Sequence, residues 1–364
     1  MQIVTGGGLR VSSSTGSYPV RIGSGVLRDI GSSVAGCGVR SVAIITDTTV
    51  KGLYADEAVA SLREAGVSVV VLEVPPGETA KSWSRAGELL QEMSGLALNR
   101  DDAVIALGGG VIGDLAGFCA AVYMRGIGVF QVPTTLLAQV DSSIGGKTGL
   151  DLPRGKNLVG SFWPPLGVLT DTGCLATLGP GEWRSGMAEV AKSAILDGVP
   201  SLEGLERDAA ALGERAAGAV ERAVVMAAGF KARVVSHDER EAGMREALNY
   251  GHTLGHAIER VAGYGAVAHG IAVAEGMRFA ARLAERIGVG DPAWSVRQDH
   301  LLDSLGLTRT GCPYDAAALL SAMRSDKKVR AGEIRFVLST GPGLWEARPI
   351  GDAELTATLS EWSA

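Results

Sequence analysis

Apolar residues in the first half of the chain fall in short continuous runs, separated by amphipathic stretches. Residues 41–46, 67–74, 103–107 and 129–132 are dominated by Val, Ile, Leu and Ala, which predicts buried strands. Residues 54–65 and 83–96 carry apolar side chains at helical spacing. Strand, helix and strand in this rhythm predict a parallel α/β sheet. Beyond Gly179 the pattern changes. Residues 182–196, 200–212, 213–235, 246–262 and 271–287 are long, Ala-rich and helically spaced. One late strand is expected at 334–338. With Gly179-Pro180-Gly181 as the boundary, the pattern predicts an α/β domain over 1–178 and a helical domain over 179–364.

Composition narrows the class without changing this outline. The 364 residues are 46% hydrophobic and 20% charged, as in a globular protein. A net charge of −6 disfavours a nucleic-acid partner, because counterion release needs a basic surface. No apolar run reaches membrane-spanning length, so no membrane association is expected. The N-terminus has no basic head followed by an apolar run, and no signal peptide is expected. Cys37, Cys119, Cys174 and Cys312 are widely separated and read as buried thiols in a reducing cytosol.

Three of the five histidines, His252, His256 and His269, cluster in sequence. His252 and His256 are four apart and share a face if the segment is helical. Alone, such a pair fits either a packed helix or a metal site. The third histidine favours a zinc-type site completed by a carboxylate. Thr253 stands where a zincin protease would carry its glutamate, so a peptidase is set aside. Arg245, Asn249, His252 and His256 step by four, three and four, which predicts one polar helical face suited to an anion-binding cleft. Glu189 and Lys192 are three apart among small apolar residues and read as a partly buried pair.

The strand at 103–107 runs into Gly108-Gly109-Gly110-Val111-Ile112-Gly113-Asp114. That is either a phosphate-cradling turn or an ordinary tight strand-to-helix turn. Glu78 and Lys81 form a second candidate contact set, for ribose hydroxyls and phosphate, or else an ordinary surface turn. The run from Pro133 to Thr148 is dense in hydrogen-bonding groups. It ends Gly145-Gly146-Lys147-Thr148 but lacks the first glycine of a Walker loop. Lys156 and Asn157 follow, and such groups near glycines clamp oxyanions.

These motifs, with Ala188-Glu189-Val190-Ala191-Lys192, residues 248–259 and Asp326-Lys327-Lys328, resemble the 3-dehydroquinate synthase family over almost the whole chain. The resemblance implies an α/β N-terminal nucleotide-binding domain plus an all-α C-terminal metal-binding domain. It implies a phosphate-eliminating carbon–oxygen lyase of the shikimate pathway that uses NAD and a divalent metal, Zn²⁺ or alternatively Co²⁺. The substrate is a phosphorylated sugar acid, 3-deoxy-D-arabino-heptulosonate 7-phosphate. Implied metal ligands are Glu189, His252 and His269, which leaves His256 a substrate or proton-relay group. Asp141, Lys147, Lys192, Lys231, Asn249 and His256 are the implied catalytic residues. Arg125, Lys156, Asn157, Arg245 and one of Lys327 or Lys328 are implied substrate contacts. Asp47, Glu78, Lys81, Gly110, Asp114, Thr134, Thr135 and Thr177 are implied NAD contacts, joined by Gly108, Gly109 and Gly113 of the glycine-rich turn. A homodimer is also implied, with Arg125 reaching the neighbouring subunit.

The implied chemistry explains the residue mix. Phosphate leaves a saturated carbon badly unless the adjacent C–H is acidic. Transient oxidation of the substrate's C5 hydroxyl by NAD acidifies that C–H. Phosphate is eliminated, the hydride returns, the ring opens, and an intramolecular aldol step closes the carbocycle. The chain departs from the family at Ile271, Ala191, Ser193 and Gly179-Pro180-Gly181. A specialised cyclase paralogue and a metal-dependent polyol dehydrogenase are the competing readings. The dehydrogenase would not need the clamp of Lys147, Lys156, Asn157, Lys231 and Arg245.

Overall fold

A computed structural model describes residues 8–263, 265–309, 313–325 and 333–362. Contacts divide the chain into two units, one running to Leu178 and including Lys231–Arg240, the other formed by Gly179–Phe230 and the chain from Glu241 onward.

In the first unit the strands are β1 (Gly8–Ser13), β2 (Gly16–Gly23), β3 (Ser41–Asp47), β4 (Ser68–Val74), β5 (Ala103–Gly108), β6 (Gly128–Pro133), β7 (Lys147–Leu152), β8 (Gly155–Phe162) and β9 (Gly167–Asp171). Seven of them make one sheet in the order β1-β2-β9-β6-β5-β3-β4. Only the β1–β2 pair is antiparallel; the other pairings in this sheet are parallel. β7 and β8 form a separate antiparallel hairpin. Alternate residues of β5 feed two cores. Val104 and Ala106 pack with Leu89, Met93 and Leu115, while Ala103, Ile105 and Leu107 pack with Ile30, Leu62 and Phe130. This is why the strand is apolar at every position. The expected strands at 41–46, 67–74, 103–107 and 129–132 are all present. β1, β2, β7, β8 and β9 were not legible, because they are short, Gly-bearing or partly exposed.

The chain steps from β3 outward to β4, then crosses back to place β5 on the other side of β3. The carboxyl ends of β3 and β5 therefore flank a topological switch point, where α/β sheets bind ligands. Helix Gly110–Val122 starts directly from β5 there.

Among the described residues, the regular elements of the second unit are helices apart from one hairpin, β10 (Arg335–Gly341) with β11 (Leu344–Pro349). Helix Pro180–Asp197 is buried all round from Ser185 to Leu196, and it carries Glu189 and Lys192 within that stretch. Helix His269–Arg286 approaches its neighbours through glycines. A Cβ on Gly270 would lie 2.3 Å from Ser185 Cα, and one on Gly276 would lie 1.8 Å from the Gly251 carbonyl oxygen.

One expectation is corrected. Residues 246–262 are not one helix. Met244–Asn249 is a 3₁₀ turn, and helix His252–Ala262 begins only after Gly251, whose φ is 79°. A Cβ at Gly251 would lie 2.6 Å from the Val273 oxygen, so backbone-to-backbone packing breaks the helix. Arg245 and Asn249 thus do not share a helical face with His252 and His256. No helix among the described residues is long and apolar enough to cross a membrane.

Candidate functional sites

In the helical unit, Glu189 lies mid-helix and is 1% exposed. His252 Nε2 is 3.5 Å and His269 Nε2 3.8 Å from its Oε1. His252 opens one helix and His269 opens the next, so two helix starts aim both rings at one carboxylate. The opposite ring nitrogens are occupied. His252 Nδ1 is 3.1 Å from the Tyr250 carbonyl oxygen, and His269 Nδ1 is 3.0 Å from Glu259 Oε2. Acceptors at Nδ1 put the proton there and leave each Nε2 with a lone pair. Neither buried Glu189 oxygen has a well-formed hydrogen bond, although the Lys192 ammonium is ion-paired with Oε2. A buried carboxylate short of donors and two imidazole lone pairs make a donor set that fits a divalent cation.

The His256 ring centroid is 5.4 Å from that of His252 and 6.1 Å from that of His269. Glu259, unassigned in the sequence reading, is the missed member of this cluster. It follows His256 by three residues on the same helix, and that spacing is the signal that could have found it. Burial lowers the His269 pKa, but the Glu259 hydrogen bond, with the charges of Glu259 and Glu189, outweighs it, and the net direction is up. Arg245 is buried beside Glu241, and Asn249 is half-buried on the 3₁₀ turn.

In the α/β unit, the glycines of 108–113 permit close approach. A Cβ on Gly109 would meet Thr135 Cγ2 at 3.0 Å, and one on Gly110 would meet Ser142 Oγ at 3.0 Å. Thr134 donates its N–H to the Gly108 carbonyl, joining the two loops at the strand ends. Asp47 caps the turn after β3, accepting from the N–H groups of Thr49 and Val50. Thr177 hydrogen-bonds the Tyr54 hydroxyl at 2.5 Å.

Lys81 is 4% exposed, with its ammonium 2.6 Å from Asp114 Oδ2 and 4.0 Å from Asp151 Oδ1. It also donates to Asn157 Oδ1, and Lys156 pairs with Glu78 at 3.3 Å. Burial raises the Asp114 pKa, Lys81 opposes it, and Glu78 and Asp151 add to the rise. Burial pulls Lys81 down, but Asp114, Asp151 and Glu78 together turn the net direction upward. Lys231 pairs with Asp141 at 2.5 Å within this same unit. Lys147 is exposed at the start of β7. Arg125 is exposed and left-handed, with φ 69°, next to Met124 at φ 50°. Lys327 and Lys328 lie outside the described residues.

Comparison with known proteins agrees over most of the chain. The family profile described as 3-dehydroquinate synthase N-terminal matches residues 71–185, and the one described as 3-dehydroquinate synthase C-terminal matches residues 186–329. The chain is 44% identical over 336 residues to a 3-dehydroquinate synthase from Pelobacter propionicus, covering 92% of this chain and 94% of that one. It is 43% identical over 357 residues to one from Caulobacter vibrioides, covering 96% of each. Among solved structures it resembles a 2-deoxy-scyllo-inosose synthase complexed with carbaglucose-6-phosphate, NAD⁺ and Co²⁺. There the TM-score is 0.86 and identity 25%, over 98% of this chain and 100% of that one. It also resembles the 2-epi-5-epi-valiolone synthase of Streptomyces hygroscopicus with NAD⁺ and Zn²⁺ bound, at TM-score 0.84 and 26% identity over 98% and 99% of the two chains. An iron-containing alcohol dehydrogenase from Thermotoga maritima shares the fold, at TM-score 0.65 and 15% identity over 94% and 96% of the two chains. On this likeness, carried through both domains, the chain belongs to the 3-dehydroquinate synthase family.

Proposed function

We propose that this protein converts 3-deoxy-D-arabino-heptulosonate 7-phosphate to 3-dehydroquinate and phosphate, with NAD and a divalent metal as cofactors. The observation that carries the reading is the convergence of two Nε2 lone pairs on the buried Glu189 carboxylate, each ring held from its Nδ1 side. When bound, NAD supplies a reversible hydride acceptor, and the metal supplies a Lewis acid for neighbouring hydroxyls.

The protein's own groups do the rest. Glu189, His252 and His269 would hold the metal. Lys192 is ion-paired with the Glu189 carboxylate from the same helix and holds it in place. His256, half-buried beside both ligand histidines, takes and returns protons. Lys231 and Asp141 form a second proton-handling pair. Lys147, Lys156, Asn157, Arg245 and Asn249 bind the phosphate and carboxylate of the substrate. Asp47, Glu78, Lys81, Asp114, Thr134, Thr135 and Thr177, with the glycine turn at 108–113, hold NAD at the switch point of the sheet.

The protein acts in the cytoplasm as a homodimer. Support for a dimer comes from Val122 and Met124, which expose apolar side chains beside the exposed Arg125. Support for a reducing compartment comes from Cys37, Cys119 and Cys174, which form no disulfide among the described residues.

The test is stoichiometric. With the heptulosonate phosphate in large excess over NAD, phosphate and 3-dehydroquinate should form in equal amounts, far beyond the NAD supplied. Absorbance at 340 nm should not rise steadily. Accumulation of one NADH per product would replace this reading with a polyol dehydrogenase.

A further inference from the structure

We propose that Asp151 is a positioning residue that holds Asn157 in its substrate-binding conformation and ties it to the cofactor-side lysine. The inference rests on the substrate clamp proposed above and extends it to a residue given no role there.

Asn157 is exposed and lies on β8 with φ 56°, in the left-handed region. An Asn tolerates that conformation better than most residues, but it still needs something to select it. Asp151 Oδ1 accepts the Asn157 backbone N–H at 2.8 Å. Lys81 donates to the Asn157 side-chain oxygen, so both ends of the residue are held. Asp151 in turn donates its own N–H to the Lys81 carbonyl at 2.9 Å, and its carboxylate lies 4.0 Å from the Lys81 ammonium. Ser82 bridges to Asp151 in parallel fashion. The β7–β8 hairpin is thereby pinned to the loop that carries Lys81.

The arrangement has a chemical consequence. Lys81 serves two clients: Asp114 on helix Gly110–Val122 and Asn157 on the hairpin. Lys81 cannot turn toward Asn157 reliably unless the hairpin is in register. The backbone bond and the carboxylate of Asp151 set that register. An exposed strand residue has no packing to hold it, so these hydrogen bonds decide where its amide points. Asp151 itself is only part-buried, so it can be changed without opening a core.

The test uses Asp151→Ala and Asp151→Asn in the full chain. Hydrogen exchange at the Asn157 amide is measured alongside substrate KM, kcat and NAD affinity. Asp151→Ala should speed exchange of that amide and raise substrate KM about tenfold, equivalent to about 1.4 kcal/mol. NAD affinity should change much less, because the backbone bond to Lys81 remains. Asp151→Asn keeps an acceptor oxygen and should restore most of both losses. Unchanged exchange and KM in Asp151→Ala would overturn the proposal. So would an Asp151→Asn variant as impaired as the alanine, since charge and not the acceptor would then matter. If the unaltered protein gives no turnover, the proposed function fails, while the exchange measurement still reads the role of Asp151.

Discussion

Glu259 offers the sharpest quantitative prediction. Its Oε2 accepts the His269 Nδ1 proton at 3.0 Å, and its side chain is only 8% exposed. Replacing it with Ala removes both the acceptor and the charge that raise the His269 pKa. The ring is then free to turn or to change tautomer, and its Nε2 becomes a poorer donor. Loss of such an outer partner typically weakens metal affinity by roughly 10–100-fold, about 1.4–2.8 kcal/mol. Glu259→Gln retains an acceptor oxygen without charge, so it should fall at the mild end of that range. Competition between the metal-loaded protein and a chelator gives the affinity directly, without relying on turnover. The pH dependence supplies a second check. The raised His269 pKa stabilises the metal-free fold below the unfolded value of about 6.5, and this contribution is lost as pH rises through the folded value. Metal binding runs the opposite way, because the proton must leave Nε2 first. Metal affinity should therefore rise across the window above about pH 6.5. In Glu259→Ala the rise should move to lower pH. Wild-type affinity and an unshifted pH profile in that variant would refute the reasoning.

Other predictions follow from the same geometry. His252→Ala should lower metal content, read by mass spectrometry, and abolish turnover; a full metal complement would remove His252 from the site. Gly251→Ala should destabilise the fold by roughly 2 kcal/mol or more, because a left-handed residue gains a Cβ against backbone; an unchanged melting temperature would contradict the packing described. Lys147→Met, at an exposed position, should raise substrate KM while thermal stability holds; Arg245→Met should also lower the melting temperature, since Arg245 is 1% exposed. Cys119 and Cys174 should resist thiol reagents at neutral pH until the protein unfolds, as a mass-resolved labelling time course would record.

Much of this was readable in the chain. β3, β5 and β6 announced themselves because strands buried on both faces are apolar almost throughout, and β4, a partly exposed edge strand, because it is Val-rich. The histidine cluster stood out in the sequence, but its spacing pointed to His252 and His256 as a pair; the choice of Glu189, His252 and His269 came from the family resemblance, and the structure brings those three groups together. The break at Gly251 was not, although a glycine stood there. What breaks the helix is the approach of Val273 and Met277 from a helix some twenty residues later, and local periodicity carries no record of that. Glu259 and Asp151 were invisible for a related reason. A carboxylate that orients another residue looks like any other carboxylate until its partner is found in space.

The helix Ala217–His237 has a consequence for modularity. Its first residues belong to the helical unit, but Lys231–Arg240 belong to the α/β unit before the chain returns. Ser236 there accepts the Ser12 N–H, Glu239 holds Ser14, and Lys231 pairs with Asp141. A gene cut after Leu178 would thus yield a nucleotide-binding half without the segment that braces its first hairpin. The two halves cannot be traded between relatives as cassettes joined at one seam. Recombination at that seam must carry the returning segment with its own sheet, which favours inheritance of the whole chain as one piece.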